Sequence, residues 1–248
     1  MLRILYFVLL LLFTPFLSQG QEQREESFMG LGFSYGLDFP VGQLADRYGS
    51  NFNAQLSMDI FNIGLNGVFG IEGGVLFGDG VNEDVLSPLR SENGRIPGNN
   101  GVLADVFLRQ RGTILGAYIN KIIMPRAGNK RSGVSLGLGV GLMQRKIRFV
   151  VDSQNVGQLT GDYIEGYDRN TVGPYVKESI KFQNFGRNKS VNYEIALNFT
   201  QGFTSNTRSI NFDTGMADSS RNVDLMIGLS AKWFLPIFGS REPEEIYY

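Results

Sequence analysis

The sequence predicts an all-β fold, a single eight-stranded antiparallel up-and-down transmembrane β-barrel. Three observations lead there. Eight stretches alternate with a period of two, setting large apolar side chains on one face against Gly, Ser, Asn and isolated charges on the other. The links between them are alternately long and short, which is the connection pattern of a barrel crossing a membrane. The polar face is rich in Gly, costly in a strand exposed to water. It suits the interior of an eight-stranded barrel, where the lumen is only wide enough for side chains to fill. A soluble sandwich also alternates, but its solvent face would carry Lys, Glu and Thr.

Residues 1–20 start with Arg3, run apolar from Ile4 to Leu17 and end at Ser18 and Gly20. This is the pattern of a cleaved secretory leader, and the apolar run is short for a spanning helix. A polar lead, 21–27, precedes the barrel at 28–238. The first strand sets Leu31, Phe33, Tyr35, Leu37 and Phe39 against Gly30, Gly32, Ser34, Gly36 and Asp38. Residues 40–50 hold a helix-compatible turn around Leu44. The second strand sets Phe52, Ala54, Leu56, Met58 and Ile60 against Asn53, Gln55, Ser57 and Asp59, and a turn with Gly64 and Asn66 leads to the third, Phe69 to Phe77, with Glu72 inward. A polar loop spans 79–101. In the fourth strand Val106 and Leu108 oppose Asp105, Arg109 and Arg111, and a bulge at Gly112 and Thr113 is expected to shift the register. A basic link covers 122–132.

The fifth strand sets Val134, Leu136, Leu138, Val140 and Leu142 against Ser135, Gly137, Gly139 and Gly141, and then runs through Arg145 and Arg148 into a loop at 151–170. In the sixth, Val172, Val176, Ile180 and Phe182 oppose Tyr175, Lys177, Ser179 and Lys181, while Glu178 falls on the apolar side. The seventh opposes Val191, Tyr193, Ile195, Leu197 and Phe199 to Asn192, Glu194, Ala196, Asn198 and Thr200. A loop at 203–220 leads to the eighth, with Val223 to Trp233 opposing Asp224, Met226, Gly228, Ser230 and Lys232. Phe39, Phe77, Phe182, Trp233 and Phe234 are placed to form interfacial girdles. The charged tail, 239–248, lies outside the barrel.

Composition narrows the function classes. Lys+Arg 23 against Asp+Glu 24 leaves no basic excess for nucleic acid. Cys and His are both absent, so disulfides, Cys/His zinc sites and imidazole-based triads cannot be built. No cofactor is expected and the chain does not read as an enzyme. The GLGVG run at 137–141 lacks the strand-to-helix context of a phosphate loop and matches a strand instead. Acidic runs at 79–84 and 162–168 lack EF-hand spacing and read as solvated loop charge.

The candidate site is a network of inward charges of mixed sign: Asp38, Glu72, Arg109, Arg111, Lys177, Lys181, Glu194 and Lys232, with Asp59, Asp105 and Asp224 beside them. Charges held away from water must be matched. Such a set forms a plug of paired ions, or else it lines a polar path.

The segments at 39–60, 161–173, 197–204 and the closing LMIGLSAKWFLPIF at 225–238 resemble the small eight-stranded outer-membrane β-barrels of Bacteroidota, the PorT-like and OmpA-type group. The resemblance implies export, an outer-membrane location and contact with its lipid. It also implies a closing aromatic strand recognised during assembly, from which this chain departs by continuing through REPEEIYY. The expected role is structural or interactive, exercised through the loops at 79–101, 151–170 and 203–220, with a largely plugged lumen. An accessory subunit of an outer-membrane secretion or assembly complex, working with other outer-membrane proteins, is one alternative. A narrow transporter of small solutes is another.

Overall fold

The computed structural model describes residues 28–62, 64–127, 129–152, 156–185, 192–218 and 221–237. The leader, the polar lead, the tail and the link at 186–191 lie outside the described residues. Eight strands close into a barrel: β1 (Phe28–Val41), β2 (Asn51–Asn62), β3 (Gly67–Gly78), β4 (Val106–Arg126), β5 (Asn129–Val151), β6 (Thr171–Phe185), β7 (Asn192–Asn206) and β8 (Arg221–Ile237). Every strand is antiparallel to its chain neighbours, and β8 returns to pair with β1. Closure leaves no open sheet edge.

The long links gather at one end. They carry a five-residue helix α1 (Gln43–Arg47), a two-residue ladder of Ile96 and Pro97 with Leu103 and Ala104, and short 3-10 turns. Around the wall the outward positions of β1, β2 up to Ile60, β3 and, from Val223, β8 are apolar or Gly. Leu56, Ile71, Leu229 and Trp233 are all at least half exposed. Phe39, Phe77, Phe182 and Trp233 belong to this outer belt. Phe234 does not: alternation turns it inward beside Trp233, where it is buried.

The fourth strand departs from expectation. The β4–β5 register runs unbroken from Val106–Val151 to Ile122–Ser135, and its irregularities come at Ile122 to Met124 and Pro125 to Arg126. With no bulge at Gly112, Val106 and Leu108 face inward, and Arg109 and Arg111 face outward. Asp105 lies before the strand, paired with Arg95 at 3.1 Å on the surface. Most of the expected link at 122–132 is strand. β7 likewise continues to Asn206, which shortens the last loop.

Inward glycines make room for aromatic side chains more than for long cations. A methyl group on Gly70 would strike the Tyr118 ring, and one on Gly116 or Gly141 would strike Tyr175. Small residues on one strand admit a large one from across the lumen.

Candidate functional site

The inward polar residues form two layers. In the lower one Tyr118 stands at the centre: its hydroxyl donates to Asp59 Oδ1 and accepts from Lys232 Nζ at 2.8 Å. Ser57 Oγ donates to Asp59 Oδ2 at 2.9 Å, and Lys232 Nζ lies 3.7 Å from the same oxygen. The Lys181 and Lys232 ammonium groups each sit 4.8 Å from the centre of the Tyr118 ring, within cation–π range. Lys181 pairs with Glu194 at 3.3 Å. Lys177 pairs with Glu72, which also accepts from the Tyr175 hydroxyl at 3.3 Å. Three lysines thus meet three carboxylates.

Higher up, Asp38 accepts from Asn53 at 2.8 Å and Asn51 at 3.2 Å. Asp224, fully buried, accepts from Thr204 Oγ1 at 2.8 Å and pairs with Arg47 at 2.5 Å. Arg145, also buried, donates to Gln110 Oε1 at 3.2 Å. Of the eight charges expected in the lumen, Asp38, Glu72, Lys177, Lys181, Glu194 and Lys232 are there, with Asp59 and Asp224. Arg109 and Arg111 are not: Arg109 pairs outside with Asp79 at 3.4 Å, and Arg111 donates to the Gln110 carbonyl at 2.7 Å.

Six participants carry no assignment from the sequence: Gln110 and Tyr118 in the fourth strand, Arg145 at the edge of an expected loop, Arg47 and Asn51 in and just after the link at 40–50, and Thr204 in the loop at 203–220. The one available signal is the set of inward glycines on neighbouring strands, which marks where a large side chain must cross.

Little space remains among these groups. The lumen retains a cavity of about 40 Å³ bordered by Asp38, Glu72, Tyr175, Lys177, Lys181 and Lys232, room for a few waters. Both ends are covered. At the short-turn end Phe61, Phe185 and Phe234 pack with centroid separations of 4.8 to 5.7 Å over Val68. At the long-loop end Leu44 of α1 and Tyr48 just after it pack with Val85, Leu86, Ile96, Val156 and Leu159 in an apolar cluster that reaches down to Met143 and Ile147. Burial pushes the Tyr48 phenol up to about 12, against the opposing pull of Arg47 and Arg145.

Above this cluster ion pairs tie the loops together. Arg169, held at φ 48°, bridges Glu83 at 2.8 Å and Asp213 at 2.6 Å, joining three loops. Partial burial pulls its pKa down, but the hydrogen bonds and the opposite charges of Asp213 and Glu83 together override it and raise the already high value. Arg208 holds Asp168 at 2.6 Å and Glu165 at 2.8 Å. Tyr167 meets Phe212 edge to face at 5.6 Å. Among the described residues no group of three or more acidic side chains is placed to hold a metal ion.

No family model matches this chain, and no curated protein does. Solved structures with a similar trace include the N-terminal β-barrel domain of Pseudomonas aeruginosa OprF, at 10% identity and TM-score 0.39, covering 85% of this chain and 100% of that one. They also include Ail, the attachment invasion locus protein of Yersinia pestis, at 11% identity and TM-score 0.40, covering 84% and 96%. Ail in complex with the heparin analogue sucrose octasulfate is similar at 12% and 0.39, with the same coverage. These likenesses are too distant to bear on function. The architecture rests on the chain's own closed register: this is an eight-stranded antiparallel up-and-down β-barrel.

Proposed function

We propose that the chain is an exported outer-membrane β-barrel with a structural or interaction role, exercised through its loop cap rather than its lumen. One observation carries this reading. The lumen is filled by ion-paired and hydrogen-bonded charges and covered at both ends, while the ion-tied cap presents apolar side chains to water. Tyr163 is 64% exposed and Met216 70%, with Ile210 and Phe212 each at 45% on the same loops. Exposed apolar side chains gathered on a rigid scaffold mark contact surfaces. The outer belt supports a membrane location, since no aqueous fold gains by exposing Leu56, Ile71, Leu115 and Leu229 around one wall.

Pull-down from outer membranes in mild detergent tests the role. A partner that accompanies the wild type and is lost from Y163S/F212S/M216S supports it, whereas recovery only as a lone monomer counts against it. Planar-bilayer recording tests the lumen: the wild type should be silent, and steady channels would favour the narrow-transporter alternative. The accessory-subunit alternative is supported by the sequence resemblance to PorT-like barrels and by one side chain on the outer wall.

A further inference from the structure

Glu178 is on the outside of the barrel, near the middle of its apolar belt. On β5 the outward run is Val134, Leu136, Leu138, Val140 and Leu142, and Glu178 pairs in register with Leu138, the central member. Its partner on β7 is Phe199, within the outward run from Tyr193 to Phe203. Glu178 makes no hydrogen bond or ion pair with any described residue. The nearest outward polar group is Gln201, diagonally across on β7, where it pairs with Val176. Among the described residues the outward cations lie toward the borders of the belt, with Arg109, Arg111, Lys146 and Arg148 toward the long loops and Lys121 toward the short turns.

A carboxyl group in hydrocarbon is costly, and such groups persist where a partner satisfies them. The described residues supply none. A two-fold contact between copies through this wall would set Glu178 against its own equivalent or against Gln201, neither of which is a cation, and no outward cation of the described residues shares its depth.

We infer that the β6–β7 wall centred on Glu178 and Gln201 is a lateral docking face, inside the membrane, for a different membrane protein that presents a Lys or Arg at mid-depth. This rests on the membrane reading above. The wall carries charge complementary to that partner, and the surrounding Leu138, Val176 and Phe199 supply an apolar rim that would keep water from the pair.

The test uses the full chain in its native membrane. A photo-crosslinking residue replaces Val176 or Phe199, with Leu56 and Ile71 on the opposite wall as controls. The inference expects one adduct with a foreign chain from the first pair only, joined within a membrane-spanning segment that holds Lys or Arg. In an E178L background that adduct should fall by on the order of tenfold. In vesicles of phosphatidylcholine alone, where no partner exists, E178L should move the urea midpoint upward.

An adduct of twice the chain's own mass, equal adducts from both walls, no adduct, or no response to E178L would overturn the inference. So would a lower urea midpoint for E178L in vesicles, because Glu178 would then have a partner within the chain. Quenching of Trp233 by brominated lipid in the same preparation separates the two failures. If Trp233 is quenched and crosslinking fails, the docking face alone is lost; if it is not quenched, the membrane reading falls with it.

Discussion

Lys181 and Glu194 show what a buried pair demands. Each is more than nine-tenths buried and they meet at 3.3 Å, so removing one strands the other. E194L should cost about 3–5 kcal/mol, and the double variant K181L/E194L should recover most of it, because a well-packed apolar pair can replace a buried ion pair. A double-mutant cycle by urea unfolding in micelles checks this. At Tyr48 the sign runs with pH. Its folded pKa, about 12, lies above the unfolded value near 10, so the folded state holds the proton longer. The associated stability is complete below pH about 10 and is lost as pH rises toward 12. Y48F should flatten that alkaline decline, read from unfolding midpoints between those pH values. Residue chemistry was largely legible along the regular strands, since parity alone assigns Asp38, Glu72, Lys181 and Lys232 to one face. Tyr118 was not, because its place depends on glycines of other strands that become neighbours only in the closed barrel.

At the scale of elements, Arg109 and Arg111 explain the main misplacement. Through the belt, apolar means outside. Above it β4 and β5 continue into water, and their inner face meets the loop cluster, so Val106, Leu108, Met143, Ile147 and Phe149 point in while Lys146 and Arg148 point out. The parity of apolar and polar therefore inverts along one uninterrupted strand. A sequence reading that holds the belt's rule throughout needs a bulge at Gly112, and none exists. The aromatic girdle fails at Phe234 for a simpler reason, since two adjacent large residues cannot share a face. The short helix α1 was foreshadowed in the link at 40–50, but its role is tertiary: Leu44 is fully buried among loop residues remote in sequence. L44A should cost about 2–5 kcal/mol by leaving a cavity in the cluster. It should also make the loops more sensitive to protease while leaving the heat-modifiable barrel intact. A variant that lowers barrel stability without loosening the loops would contradict the cluster's role as a cap.

For the whole molecule, the two apolar regions divide the work. The outer belt faces the surrounding medium all the way round, and the inner clusters close a lumen whose charges are ion-paired or hydrogen-bonded. Closed at both ends, the barrel leaves its cap and its wall as its exposed surfaces, and Glu178, without a partner among the described residues, marks one sector of that wall as different from the rest. All of this depends on lipid lying against the outward residues. The chain holds one tryptophan, Trp233, which is outward and half exposed, so its fluorescence reports on that single point. Reconstituted into vesicles with brominated acyl chains, the protein should show strong quenching of Trp233 and little response to aqueous iodide. Emission untouched by brominated lipid but quenched by iodide would place the belt in water and contradict the account.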